Sequence, residues 1–172
     1  MSFLWLEQMR LREELIVIER VGEFELVSQE TLDKFNVTRG DIVLPSRATS
    51  GSAGYDIYSP SDVVINPHST VTIPLGVKVR VDNGWYLQIV PRSSVGIKYH
   101  LMLANSTGII DEDYYDNPDN EGMMFLALHN YGEKPIYIEN GDRVAQGIFV
   151  QYGITYSDEV DTERTGGIGS TG

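Results

Sequence analysis

The sequence contains no cysteine, which excludes disulfide staples and thiolate metal centres and makes a reducing cytoplasm the default expectation. Histidine is nearly as scarce. His68, His100 and His129 show no ligand spacing, so no transition metal held by the protein is expected. No apolar run approaches the ~20 residues that a bilayer-spanning helix needs, and no membrane partner is expected. The start, Met1 to Leu6, is apolar but lacks a basic flank, which is not the pattern of a secretory signal. Positive charge is the other deficit: 13 Lys and Arg against 25 Asp and Glu leave a net charge of -12. A duplex-binding face requires the opposite balance, so direct nucleic-acid binding is not expected. An anionic ligand must therefore be gripped by a local group of basic side chains and backbone N–H groups, acting against the overall field.

What is present is enough for one domain with a sizeable core: 172 residues, 41% of them apolar. In residues 1–22, Leu4, Leu6, Met9, Leu11 and Leu15 fall on one helical face, which reads as an N-terminal extension packing on the domain or on another subunit. A short helix is predicted over Ser28–Phe35, with Ser28 as cap and Glu30 in its first turn. From Arg47 onward the texture is short strands between turn residues. Val77–Val81 alternates, turns at Asp82-Asn83-Gly84 and returns as Trp85–Val90, which predicts a β-hairpin. Ile136–Glu139, Asn140-Gly141 and Val144–Tyr152 predict a second. The expected fold is all-β, an antiparallel sandwich or barrel over residues 23–156, followed by a flexible Gly-rich tail over 157–172.

Several segments carry candidate chemistry. Gly51-Ser52-Ala53-Gly54-Tyr55-Asp56 reads by itself as a tight turn entering a strand. Arg92-Ser93-Ser94 follows a strand end, where a helix beginning near Ser93 either caps plainly or points free N–H groups at an anion. Asn105 to Tyr114 reads as a strand turning back on itself. There Asp111 follows Ile109 and Ile110, a setting in which a carboxylate held against an apolar wall acts as base. By strand alternation, at most one of Glu112 and Asp113 shares its pocket. An acidic turn in solvent is the plain alternative. At the next turn, Asp142 and Arg143 suggest a structural pair, with Gln146 on the following strand. Arg164 to Gly172 is too rich in glycine to order by itself.

In this order, these segments resemble the motifs of the trimeric dUTP nucleotidohydrolases, the dUTPases, from about Phe24 to Gly172. The resemblance implies a jelly-roll-like β domain in a homotrimer whose sites are shared between subunits. It implies hydrolysis of dUTP to dUMP and pyrophosphate, by attack of a water on the α-phosphorus, which supplies dUMP and keeps uracil out of DNA. Arg92, Ser93, Ser94 and Gln146 would hold phosphates, Asn105, Ile109, Ile110 and Met124 would surround uracil, and Tyr114 would lie under the deoxyribose. Asp111 would be the general base. Mg²⁺ would ride on the triphosphate, with Asp56 reaching it through water only. Arg164, Ile168, Gly169, Ser170 and Thr171 would close over the nucleotide.

Departures from the family pattern are also legible. Ile168 stands where the tail usually carries Phe, and the spacing from Arg164 to the glycines is short. Tyr115-Asp116-Asn117-Pro118-Asp119-Asn120 interrupts the chain after Tyr114 and is expected to loop out, as passive surface or as a subunit or partner contact. Two rival readings use the same fold. A dCTP deaminase needs a further acid on the strand Phe125–Asn130, which has none. A non-catalytic nucleotide-binding or regulatory module would not require Asp111, Tyr114 and the Ser/Thr-bearing tail together.

Overall fold

A computed structural model of the chain describes residues 18–162, 164 and 166. Residues 1–17 of the expected N-terminal helical extension and the tail positions Ile168, Gly169, Ser170 and Thr171 lie outside the described residues, while Ile18 to Val21 are described and are not helical. Among those described, strands dominate and all pairings are antiparallel. The architecture is the jelly-roll-like β domain expected.

Strand β1 (Gly22–Leu26) leads into helix α1 (Gln29–Lys34). The Ser28 hydroxyl accepts the Thr31 N–H at 3.2 Å, and Glu30 complements the positive end of the helix, as the sequence predicts. Leu32 then buries completely against Val27, Val37 and Met123. The remaining strands are β2 (Ser46–Arg47), β3 (Tyr55–Tyr58), β4 (Val63–Ile65), β5 (Thr70–Pro74), β6 (Val77–Val81) and β7 (Trp85–Pro91). After helix α2 (Ser93–Tyr99) come β8 (Leu101–Leu103), β9 (Gly108–Ile110), β10 (Phe125–Asn130), β11 (Ile136–Ile138) and β12 (Arg143–Gln151).

Neither predicted hairpin forms as a paired unit. The chain does reverse at Gly84, whose φ of +84° suits glycine, with Trp85 N–H donating to Asp82 at 3.1 Å. But β6 pairs with β1, while β7 pairs with β12 and β9. Likewise β11 pairs with β4, and β12 with β3 and β7. The reason is burial. Val77, Lys78, Val79 and Val81 are all buried, so β6 lies between layers and its partner is set by both faces. Turn residues dictate the reversal, and packing dictates the neighbour. The segment around Asn105 behaves the same way, since β8 pairs with β10 and β9 with β7.

The core is continuous between the layers, with Ile57, Ile65, Ile73, Leu87, Ile89, Leu126 and Leu128 almost wholly removed from water. Strand β10 follows period two, burying Leu126, Leu128 and Asn130. The Asn130 amide donates to Ile65 and Lys134 carbonyls at 2.9 and 2.8 Å, which makes its burial tolerable. The sheet that positions the candidate site runs β2-β3-β12-β7-β9, with β9 at its edge.

Candidate active site

Strand β9 owes its place to Gly108 and Thr107. Gly108 sits opposite Ile89, where an added Cβ would meet the Ile89 Cβ at 3.1 Å, and Thr107 donates its hydroxyl to the Ile89 carbonyl at 3.0 Å. Because β7 occupies one side only, the other edge of β9 offers its backbone N–H and C=O groups to whatever lies beside it. Beside it is a cavity of about 490 Å³, within the range of small-molecule sites, lined by Asn105, Ile109, Ile110, Tyr114, Phe125 and Arg164, among others.

Past β9 the backbone leaves the strand path and tightens into a 3₁₀ turn, Glu112–Tyr114, with Asp111 at its start. This turn, and not strand alternation, decides which acid joins Asp111. The Arg164 guanidinium lies 3.2 Å from both the Asp111 and the Asp113 carboxylates, while Glu112 faces Asn83. The Asp111 side chain is about half exposed (53%), so the expected apolar wall does not enclose it; solvent and a guanidinium surround it in this conformation. Tyr114 is buried. Its hydroxyl donates to the Met123 carbonyl at 3.0 Å and accepts from the Asn120 amide at 2.9 Å. Burial pushes the phenol above its ordinary 10.0, so it remains a neutral donor. Arg164 covers the ring, 5.1 Å from its centre.

Met124 is a correction. Its side chain is completely buried in the core, its N–H donates to Val77, and its carbonyl accepts from Leu75. It has no free surface for a ligand, and Phe125 lines the cavity in its place.

The phosphate candidates gather elsewhere on the same sheet. β12 lies between β3 and β7, placing Gln146 across from Asp56 and Val90, next to the strand end that leads to Arg92. Gly54 makes room for this: an added Cβ would fall 2.6 Å from the Gln146 Oε1. Ser93 and Ser94 open α2, whose first turn carries no acidic residue. The Asp56 carboxylate is clamped by Arg92 at 3.0 Å and Arg143 at 3.3 Å. Arg143 thus pairs with Asp56 and not with Asp142, whose carboxylate accepts the Glu139 N–H at 2.9 Å. Two guanidinium groups at that range disfavour a dication touching Asp56, yet a carboxylate keeps further lone pairs, and those fit a water. Among the described residues, no cluster of acids and histidines suits direct metal coordination.

Asn105, Ile109, Ile110, Tyr114 and Arg164 are therefore brought together, with Asp111 at their rim. Arg92 and Ser94 line a separate cavity of about 240 Å³, and neither cavity is lined by Ser93 or Gln146. The contribution of Asn117 and Asn120 was not foreseen. Their burial (3% and 7%) inside a polar insertion is a tertiary fact that composition does not carry.

Comparison with known proteins bears on this arrangement. A family model described as dUTPase matches residues 40–172. A deoxyuridine 5'-triphosphate nucleotidohydrolase from Lactococcus lactis subsp. lactis is 45% identical over 133 residues, spanning 76% of this chain and 89% of that protein. One from Helicobacter pylori is 33% identical over 138 residues, spanning 76% and 89%. The crystal structure of dUTPase from Streptococcus mutans superposes with a TM-score of 0.67 at 36% identity, covering 77% of this chain and 97% of that one. The dUTPase of Staphylococcus aureus phage phi11, described for its species-specific insert, superposes with a TM-score of 0.63 over 83% and 97%. At 21% identity that last likeness speaks for the fold alone.

Proposed function

The chain belongs to the dUTPase family and hydrolyses dUTP to dUMP, and we propose that it does so with the edge strand β9 as base reader and Asp111 as general base. The observation that carries this is the free edge of β9 facing a nucleoside-sized cavity. Uracil offers an N–H donor at N3 beside a carbonyl acceptor at C4, which complements a strand's own C=O and N–H. Cytosine reverses both. Its recognition would leave buried groups facing like groups, a mismatch that discriminates strongly. A methyl at C5 is rejected by the walls that Ile109 and Phe125 supply. Asn105 helps seat the base, and Tyr114 sits beneath the sugar, leaving no space for a 2′-hydroxyl.

In this mechanism Asp111 accepts a proton from a water that attacks the α-phosphorus in line, and pyrophosphate leaves. A positioned base is worth about 10²–10⁴-fold, and donors around the phosphates supply much of the rest. Arg92, Ser93, Ser94 and Gln146 bind phosphate oxygens, and Arg164 leads a tail in which Ile168, Gly169, Ser170 and Thr171 close the site and exclude water. Closure requires Arg164 to leave the Asp111 carboxylate for phosphate. A Mg²⁺ ion carried by the triphosphate would neutralise its charge, and Asp56 would hold it through water only. One structural neighbour, a mutant phage dUTPase at 22% identity, is described as coordinating a structural Mg(II) ion.

We also propose a homotrimer acting in the cytoplasm. The base half and the phosphate half of the site line separate cavities in one chain, and adjoining copies bring such halves together. Exposed Tyr137 (72%) and Ile97 (77%) offer apolar surface for that contact. The deciding assay follows pyrophosphate from dUTP, dTTP, dCTP and UTP, with sizing of the same sample. Consumption of dUTP alone by a trimer is expected. Turnover of UTP at a comparable rate refutes the role given to Tyr114, and ammonia from dCTP supports the deaminase instead.

A further inference from the structure

The reversal that carries Asn105 into β9 is held in an unfavourable conformation. Ser106 has φ +66°, in the left-handed region that a non-glycine residue keeps only where its surroundings hold it there. Two local bonds tighten the turn: Ser106 N–H donates to the Leu103 carbonyl at 3.0 Å, and Thr107 N–H to the Asn105 carbonyl at 2.7 Å. Neither ties the reversal to the neighbouring strand. The Thr107 hydroxyl does. It donates to the Ile89 carbonyl on β7 at 3.0 Å and accepts from the Gln88 amide at 3.4 Å. The bond falls where backbone pairing stops, since Gly108, opposite Ile89, is the last paired residue at that end of β9. A side chain thus continues the pairing by one step.

What this tie places is the base half of the cavity. Among the described residues, β9 is a three-residue strand partnered by β7 alone, and a short edge strand frays from its ends unless something clasps them. Fraying here begins at Gly108, beside the backbone groups that face the cavity. Asn105 stands two residues before Thr107 and lines the same cavity. Its amide has no hydrogen-bond partner among the described residues, which leaves it available to a ligand. We propose that Thr107 is a positioning residue for base selection: its hydroxyl clasps the reversal to β7, and so fixes Asn105 and the free edge of β9 relative to each other. The clasp rests on the reading of β9 as base reader, and it adds what aims that reader. Uracil is told from cytosine only by donors and acceptors held in hydrogen-bonding geometry, and a wandering edge offers partial bonds to both. Every group in the clasp belongs to one chain, so it acts on the base half whichever subunit supplies the phosphate half.

Thr107→Val keeps the shape of the side chain and removes the hydroxyl, whereas Thr107→Ser keeps the hydroxyl. In the full chain, kcat and KM for dUTP are measured with the inhibition constant of dCTP as competitor and the thermal midpoint. Thr107→Val is expected to raise KM for dUTP about tenfold, the scale of one lost hydrogen bond with a stranded carbonyl, while kcat stays within about threefold. The dCTP constant is expected to change less than about twofold, because cytosine gains nothing from groups aimed at uracil. Thr107→Ser should return the ratio of the two constants to within about twofold of wild type, since the hydroxyl is restored. A merely structural role would weaken both nucleotides equally, in step with the thermal midpoint. Equal weakening, an unchanged KM, or a Ser variant that behaves like Val overturns the clasp while leaving β9 as base reader. Wild-type protein that takes dCTP as tightly as dUTP removes the base reader, and the clasp with it.

Discussion

Replacing Tyr114 with Phe separates its role as a platform from its role as a brace. The hydroxyl is inside the domain, donating to Met123 O at 3.0 Å and accepting from Asn120 Nδ2 at 2.9 Å, in a residue only 4% exposed. Tyr114→Phe removes both bonds and strands an amide N–H and a carbonyl where water has little access. A lost bond with a stranded partner costs about 1–3 kcal/mol, and the two share one removed atom, so about 2–3 kcal/mol in total is expected. At this chain length each kcal/mol moves the midpoint by about 2–4 °C, so thermal unfolding at fixed protein concentration should show a fall of roughly 5–10 °C. The ring face toward the cavity is unchanged. Below the denaturation range, kcat/KM for dUTP and its ratio to that for UTP should therefore stay within about threefold of wild type. A midpoint within about 1 °C of wild type refutes the bracing argument. Lost sugar discrimination in a fully stable variant means that the hydroxyl, not the ring, serves the substrate.

Asp111→Asn should abolish turnover, by at least ~100-fold, while dUTP affinity stays within about tenfold, because a missing base acts on the transition state; loss of binding would make Asp111 structural. Gly54→Ala pushes against the far end of the flexible Gln146 side chain, so stability should hardly change while KM for dUTP rises several-fold; an unaltered KM removes Gln146 from the phosphate contacts. Burial alone would raise the Glu121 carboxyl, but hydrogen bonds from Ser28 and Thr31 and the nearby Lys78 outweigh it and hold the group below its ordinary 4.5. With the folded value depressed, its stabilisation is complete above that ordinary value and disappears as pH falls through the depressed one. Urea unfolding of wild type and Glu121→Gln should therefore converge as pH drops below about 4, and curves that stay parallel from about pH 6 to about pH 3 contradict the assignment.

Local chemistry was the legible part of the fold. Ser28 announced its helix because an N-cap acts within three residues, and Gly84 announced a reversal because a positive φ is a property of one residue. Strand partners are not local. Val77–Val81 looked like half of a hairpin from its alternation and the turn after it, yet Lys78 is buried along with the valines, and the strand pairs with β1. Nothing within ten residues of Lys78 reveals that Asp116 and Glu121, far along the chain, will receive its charge. Near the site the same division holds. The residues of the reversal at Asn105–Tyr114 were readable as a group, whereas the 3₁₀ turn that puts Asp113 beside Asp111, and the arginines that clamp Asp56, depend on elements distant in sequence.

The insertion shows why polarity is a poor guide to passivity. Tyr115 to Asn120 reads as a surface loop because its residues are polar and turn-forming, and residues of that type are also what satisfies a buried backbone when no strand is available. Asn117 and Asn120 are buried with their amides spent on Gly166, Asp119, Tyr114 and Gly122. An apolar loop in the same place would fill space but direct nothing. A polar one with its buried groups bonded has a single arrangement, and a single arrangement fixes the Tyr114 ring from behind. The loop after Tyr114 is therefore better understood as the outer wall of the site than as an interruption of it.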